Sequence, residues 1–115
     1  VNIMDLHATL IELAGLPPRQ DLDCRSLIPL LDDSTAEWPH PTLITHGRGN
    51  HAVRDERYRY IHYRNGEEEL YDHTLDPNEW TNLAANPAHR PIIESRRRHI
   101  PKEEAPAITP KFSMK

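Results

Sequence analysis

The sequence predicts a small α+β domain, in which an antiparallel sheet of three to four strands is flanked by helices. Apolar residues recur at helical spacing near the start of the chain, and short alternating segments separated by turn residues follow between residues 42 and 72. The length of 115 residues is that of one domain. Hydrophobic residues make up 37% of the chain and eleven residues are proline, which predicts a thin core and long loops.

The first helix is predicted over residues 1–16. Its apolar residues share one face, because they lie three and four positions apart: Ile3, Leu6, Leu10 and Leu13. Asn2 is placed to cap the start, and Gly15 can adopt the left-handed conformation that ends a helix. Ser26 is predicted to cap a short second helical turn that runs to Leu31.

The sheet is predicted from alternation and from turn residues. Arg57 to Tyr63 alternates most clearly, with successive side chains on opposite faces. Asn65-Gly66 is the strongest hairpin signal, and it joins this strand to its neighbour. The predicted strands are Thr42–His46, His51–Arg54, Arg57–Tyr63 and Glu67–Tyr71.

Helical segments are predicted over residues 77–99. The segment Asp76–Glu79 has the composition of a helix start, and Trp80 and Leu83 are predicted to form the buried side of that helix. Pro91 must kink or delay the next helical stretch. The chain thus divides into a domain over 1–100, made of the helix at 1–16, the sheet at 42–72 and the helical segments at 77–99, and an irregular tail at 101–115.

The charge distribution and the lengths of the apolar segments argue against nucleic-acid and membrane partners. The formal net charge is −4, and both signs are spread along the chain, whereas a nucleic-acid surface needs a clustered basic face. The basic run Arg96–His99 lies late in a predicted helix, where cations complement the helix dipole. No segment approaches the roughly 20 apolar residues of a membrane helix. We therefore expect neither a nucleic-acid nor a membrane partner.

Residues that could carry chemistry are present, but their spacing favours ordinary roles. His46 and His51 flank a glycine-rich turn and His62 lies on a neighbouring strand, yet no pair has the tight spacing of zinc ligands. Packing or surface histidines are therefore favoured over a metal site. Cys24 is the only cysteine and no base is positioned to activate it. We assign no catalytic residue and no metal ligand.

The most site-like segment is the loop from His46 to His51. Its two glycines allow close backbone approach, and Arg48 and His51, with Arg54 beyond them, can bind oxyanions. These three residues are the candidate substrate-binding residues. A solvated turn that carries polar side chains is the alternative interpretation.

Several motifs together resemble the C-terminal part of the sulfatase family, within the alkaline-phosphatase-like superfamily. The segment 69–73 reads Glu-Leu-Tyr-Asp-His, and 76–84 reads Asp-Pro-Asn-Glu-Trp-Thr-Asn-Leu-Ala. Segments 5–10, 13–17, 26–31, 52–54 and 58–61 are similar to family motifs that come earlier in the chain, in the family's order. Within the family, the pattern is most similar to iduronate-2-sulfatase-like bacterial enzymes. Cys24 is a departure, since glycine is common at its position.

The resemblance implies a C-terminal fragment that completes a sulfatase fold and lines the substrate cleft. Sulfatases hydrolyse sulfate esters with a formylglycine made from a Cys/Ser-x-Pro-x-Arg motif, and they hold a calcium ion. Those motifs would lie N-terminal to Val1, and Ser26 and Ile28 stand where Cys24 would need Pro and Arg. We therefore expect no cofactor in this chain, which alone would be inactive.

The implied partners are the N-terminal sulfatase catalytic domain and, in the intact enzyme, a sulfated saccharide. Export or a periplasmic location would follow the family. The alternative is a free-standing binding module without catalysis. The exposed apolar area distinguishes the fragment from the module, because a domain cut from its partner shows an apolar patch and a free-standing module does not. We expect that patch on the first helix, at Leu6, Leu10 and Leu13.

Overall fold

A computed structural model of the protein describes residues 1–106. One compact unit spans Val1–Thr42 and a second begins at Leu43. The elements are helices α1 (Asp5–Leu13) and α2 (Ile28–Asp32), strands β1 (Thr42–Thr45), β2 (His51–Arg54), β3 (Tyr58–His62) and β4 (Glu68–Asp72), a 3₁₀ turn (Pro87–His89) and helix α3 (Arg90–Arg97). The α+β class and the four-stranded sheet are as predicted.

Helix α1 is shorter than the predicted 1–16 and ends as Gly15 predicts, but Asn2 does not cap it: the N-cap position is Met4, which makes no side-chain capping bond. The Asn2 side chain accepts a hydrogen bond from the Met4 amide at 3.2 Å. Gly15 has φ of 66°, and the Leu16 amide donates to the carbonyl of Ile11 at 3.1 Å. This return bond is the one that a left-handed glycine permits at a helix C-terminus.

The inward side of α1 is polar. Asp5 and Thr9 are its buried residues. Asp5 Oδ1 accepts from the Arg25 amide at 3.1 Å, and Thr9 Oγ1 accepts from the Leu27 amide at 2.9 Å. The Thr9 hydroxyl also donates to the Asp5 carbonyl at 2.7 Å. Two side chains of the helix therefore hold the backbone of the loop that leads into α2.

The apolar side of α1 faces solvent. The predicted stripe is exposed along its whole length, at 81% for Ile3, 52% for Leu6, 64% for Leu10 and 62% for Leu13. The expected apolar patch is therefore present.

The sheet has the order β1-β2-β3-β4, with β3 antiparallel to both neighbours. Val53 and Leu70 lie opposite Tyr60, one on each side. The hairpin between β3 and β4 turns at Asn65-Gly66, where Gly66 has φ of 89°. The predicted hairpin is thus confirmed.

One face of this sheet carries the core. Val53, Tyr60, Leu70 and Ile93 are all 0% exposed, and Ile93 comes from α3, which covers that face. Each such side chain contributes about 1.5–3 kcal/mol when it is fully buried. These four residues therefore give the sheet unit a core of its own.

The prediction of a helix after Asp76 is wrong, because this segment forms a turn. The Asp76 carboxylate accepts from the Thr81 amide at 2.8 Å, five positions on rather than the two or three of a helix cap. Glu79 adopts φ of 58° and takes the chain out of the helical path. Trp80 is 84% exposed rather than buried. Leu83 does pack on the core, and its amide donates to the Leu70 carbonyl at 2.9 Å.

The C-terminal elements follow the prediction for Pro91, since a 3₁₀ turn precedes α3 and delays its start. Residues 101–106 contain no helix or strand, as expected of the tail. The remainder of that predicted tail, 107–115, lies outside the described residues. In the described part of the chain, no helix is long and apolar enough to cross a membrane.

Candidate functional site

The loop between β1 and β2 is shaped by its two glycines. Gly47 and Gly49 have φ of 69° and 81°. A Cβ on Gly49 would lie 3.0 Å from the Cβ and Cγ of Arg64, so Arg64 would have to shift to accommodate it. Asn50 fixes the loop further, because its Oδ1 accepts from the Arg64 amide at 3.1 Å and its Nδ2 donates to the His46 carbonyl at 3.1 Å. The loop is therefore held in one shape.

The three predicted substrate-binding residues take different positions on this frame. Arg48 is exposed at the turn, and Arg54 is exposed at the far end of β2. His51 is buried, with 2% of its surface exposed. Because His51 and Arg54 are three residues apart in a strand, their side chains project from opposite faces, and about 10 Å of strand separates them. The structure does not bring them together, and their contact with substrate stays a prediction.

His51 lies in a polar cluster that includes a residue from the tail. Its Nδ1 is 3.0 Å from Thr45 Oγ1, and its Nε2 is 3.2 Å from Glu104 Oε1. The second Glu104 oxygen accepts from the Gly49 amide at 2.7 Å. This amide, followed by the His51 contact, lowers the pKa of the Glu104 carboxyl. A carboxylate thus occupies the loop that was predicted to bind anions.

The opposite face of the sheet carries a second charged cluster. Glu79 accepts from Arg59 Nη1 at 2.9 Å, and it lies 2.6 Å from His73 Nε2. Burial tends to raise the pKa of Glu79, but the hydrogen bonds from His73 and Arg59 outweigh it and lower that pKa. The left-handed backbone of Glu79 is therefore stabilised by its side chain.

A third cluster joins α3 to the β2–β3 turn. The guanidinium groups of Arg57 and Arg96 lie 4.9 and 4.8 Å from the centre of the Tyr58 ring. Arg96 also contacts Asp55 at 2.5 Å, and Arg57 donates to Asp72 at 2.7 Å. The bond from Arg57 lowers the pKa of the Asp72 carboxyl. These contacts hold the sheet and helix together.

Asp72 and its neighbour His73 contact different residues, so they form no catalytic pair. Across residues 1–106, no group of three or more His, Cys, Asp or Glu side chains is placed to hold a metal ion. Cys24 lines a cavity of about 360 Å³ beside α1, together with Ile11 and Leu16. Its environment is therefore largely apolar.

Sequence reasoning missed Glu104 and the Arg59–Glu79 contact. Glu104 follows the last helix in a proline-rich segment that has no periodic pattern. Its partner Gly49 is 55 positions away. Glu79 was assigned to a helix start, and only its left-handed backbone brings it to Arg59. No local signal in the sequence could have found either pair.

Two curated relatives are sulfatases. The chain is 36% identical over 105 residues to a sulfatase of Formosa agariphila. This alignment covers 91% of this chain and 21% of that protein. It is 34% identical over 103 residues to a Delta 4,5-hexuronate-2-O-sulfatase of Bacteroides thetaiotaomicron, covering 82% of this chain and 21% of that protein. The chain therefore spans about a fifth of the length of these relatives.

A solved structure supports the fold. The chain matches, with a TM-score of 0.67 and 21% identity, a protein in complex with its substrate D-glucosamine-2-N,6-O-disulfate, covering 82% of this chain and 22% of the other. At that identity the match concerns the fold alone. The family model described as N-sulphoglucosamine sulphohydrolase, C-terminal, matches residues 1–105. With this match over nearly its whole length, the chain belongs to that family of sulfatase C-terminal domains.

Proposed function

We propose that this chain is the C-terminal part of a sulfatase that acts on sulfated sugars, where it completes the fold and lines one wall of the substrate cleft. The family match and the two sulfatase relatives support the reaction class. The hexuronate sulfatase among those relatives supports a sulfated sugar as the substrate class. Because the chain accounts for about a fifth of such proteins, the remaining polypeptide would supply the catalytic centre.

The observation that carries this proposal is the exposed apolar face of α1. Leu6, Leu10 and Leu13 are each more than half exposed on one side of the helix. Covering each leucine would contribute up to about 1.5–3 kcal/mol, so the face favours a permanent partner. The N-terminal catalytic domain is that partner in our proposal. A free-standing module would instead present a mostly polar face here.

The catalytic groups that the family implies do not fit the residues of this chain. A formylglycine would need Pro and Arg near Cys24, where Ser26 and Ile28 stand. The described residues also offer no set of carboxylate and imidazole ligands for calcium. We therefore place formylglycine and calcium in the N-terminal domain. The exposed guanidinium groups of Arg48 and Arg54 are two of the groups through which this chain would bind an anionic sugar.

The experiment compares the chain with the longer polypeptide encoded in frame upstream of Val1. We expect the longer protein to hydrolyse a sulfated unsaturated uronide and the 115-residue chain to show no turnover. Activity in the short chain, or an upstream frame without Cys/Ser-x-Pro-x-Arg and acidic metal-ligand motifs, would overturn the proposal. In the longer protein, Arg48→Ala or Arg54→Ala should raise KM. The control is Arg98→Ala, which removes an exposed arginine directly after α3 and should leave KM unchanged.

Docking through α1 is tested with one substitution in two contexts. We expect Leu10→Asp to leave the stability of the isolated chain nearly unchanged, because this side chain is already exposed there. In the longer protein, the same charge would be buried without a partner and should lower the unfolding temperature by several degrees or more. Equal effects in both contexts would mean that nothing covers this face.

A further inference from the structure

The loop from Gly47 to His51 presents polar hydrogens to one point. The Gly49 amide and His51 Nε2 both face the Glu104 carboxylate, at 2.7 and 3.2 Å. Arg48, next to Gly49 in the chain, is exposed and adds a positive charge to the same loop. A backbone amide and an imidazole that face one position, with a cationic side chain on the same loop, form a usual environment of a bound oxyanion.

His51 is the part of this environment that Glu104 satisfies least well. The imidazole is 1% exposed, so water does not solvate it. Its Nε2 lies close to Glu104 but has no well-directed hydrogen bond. Thr45 Oγ1 lies 3.0 Å from Nδ1, and if its hydroxyl donates there, the ring proton belongs on Nε2 and points at the carboxylate position. A buried ring nitrogen therefore faces this point and is incompletely paired.

We propose that Gly49, His51 and Arg48 form an oxyanion-binding site, which the chain's own Glu104 occupies until an external sulfate or carboxylate displaces it. This inference deepens the proposed function and rests on it only for the biological source of the anion. The sequence makes this loop a candidate for anion binding, and in the structure its Gly49 amide donates to the Glu104 carboxylate.

The geometry explains why an external oxyanion can compete. Glu104 offers two oxygens in one plane, and they serve Gly49 well and His51 poorly. A tetrahedral sulfate or a freely oriented carboxylate can approach both donors in line. The tethered Glu104 competes with an effective concentration on the order of millimolar, so occupancy by an external anion requires that the tail segment move away.

The test uses the 115-residue chain and Glu104→Ala, with Glu103→Ala as the matched control. Glu103 is the adjacent, exposed carboxylate, so both variants lose the same charge. Sodium sulfate and sodium glucuronate are titrated separately at constant ionic strength, with chloride as the reference. The readouts are the NMR signals of the Gly49 amide and the His51 ring. We expect saturable shifts in Glu104→Ala, with affinity about tenfold or more above that of the wild type.

Comparing the two anions shows which group of a sulfated sugar, the sulfate or the carboxylate, the site binds. Saturation by sulfate alone supports a sulfate-group site, saturation by glucuronate alone supports a sugar-carboxylate site, and saturation by both supports a general oxyanion site. Adding Arg48→Ala to Glu104→Ala should weaken binding several-fold. If Glu104→Ala responds no more than Glu103→Ala to either anion, the proposal is wrong.

A second variant covers the case in which Glu104→Ala does not fold. Glu104→Gln keeps an oxygen to accept the Gly49 amide but removes the charge, so it should fold and release the site at lower anion concentrations than the wild type. A response of Glu104→Gln identical to the wild type would overturn the inference. Neither variant assay requires sulfatase activity, so failure here and failure of the proposed function are separate results.

Discussion

The two compact units of this protein arrange apolar and polar residues in opposite ways. In the sheet unit, the side chains with no exposure are Val53, Tyr60, Leu70 and Ile93, and the charged groups pair around them. In the unit that spans residues 1–42, α1 buries Asp5 and Thr9 and exposes its leucines. The sheet unit contains a buried core of its own, whereas α1 leaves its apolar side uncovered.

This difference predicts a large contrast between two leucine substitutions. Leu70→Ala should destabilise the chain by about 2–5 kcal/mol, because it leaves a cavity at a fully buried site. Leu10→Ala removes the same atoms from an exposed site and should change stability by no more than about 0.5 kcal/mol. Urea denaturation of both variants measures the contrast. Similar losses would mean that α1 is covered in the isolated chain, and the comparison would fail.

The glycines of the two units should differ in the same direction. Gly49→Ala combines a left-handed backbone with contacts of 3.0 Å to Arg64, so we expect a loss of about 2–4 kcal/mol. Gly15 has φ of 66° but open space around it, and Gly15→Ala should cost only about 1 kcal/mol. Thermal unfolding followed by circular dichroism gives both values. An equal cost would show that the loop relaxes around the added methyl group.

The polar side of α1 can be tested with an isosteric change. Thr9→Val keeps the shape of the side chain but leaves the Leu27 amide without its acceptor, so it should destabilise the chain by about 1–2 kcal/mol. Thr35→Val is the matched control, because Thr35 is exposed and its hydrogen bonds among the described residues are to the nearby Asp33. Urea midpoints of the two variants provide the comparison. If Thr35→Val were as costly as Thr9→Val, the polar contacts of α1 would have no special role.

The smallest expected change in stability occurs only at alkaline pH. It involves Tyr71, on the sheet face opposite the core. Burial, followed by its bond to Glu69, raises the pKa of Tyr71 to about 12. The neutral phenol is thus favoured in the folded state, so stability should fall as pH rises from about 10, where the unfolded phenol ionises, towards 12. Tyr71→Phe should remove this part of the decline. Absorbance at alkaline pH measures the titration, and four tyrosines ionising together near pH 10 would contradict it.

Much of the local structure could be predicted from the sequence. The end of α1 at Gly15, the hairpin at Asn65-Gly66 and the delayed start of α3 depend on residues within a few positions of one another, and all three were predicted correctly. The segment after Asp76 shows the limit of such patterns. It has a capping residue and a proline in the right places, but Glu79 pairs with Arg59, 20 positions away, and the chain turns instead.

The candidate site also has a part that the sequence predicted and a part that it did not. Its loop was identified from two glycines and their polar neighbours, and the family was identified from the order of short motifs. Burial of His51 and its separation from Arg54 were not foreseen, because alternation tells which residues share a face but not which face is covered.

The sequence by itself determined the four strands and their order, the apolar stripe of α1 and the family, because each depends on neighbouring residues or on a linear pattern. The tertiary structure alone decided which charges meet. Glu104 reaches Gly49 across 55 positions, and Arg96 reaches Asp55 across 41. Such pairs form only after α3 packs on the sheet and returns the chain towards the loop, and no local periodicity encodes that return.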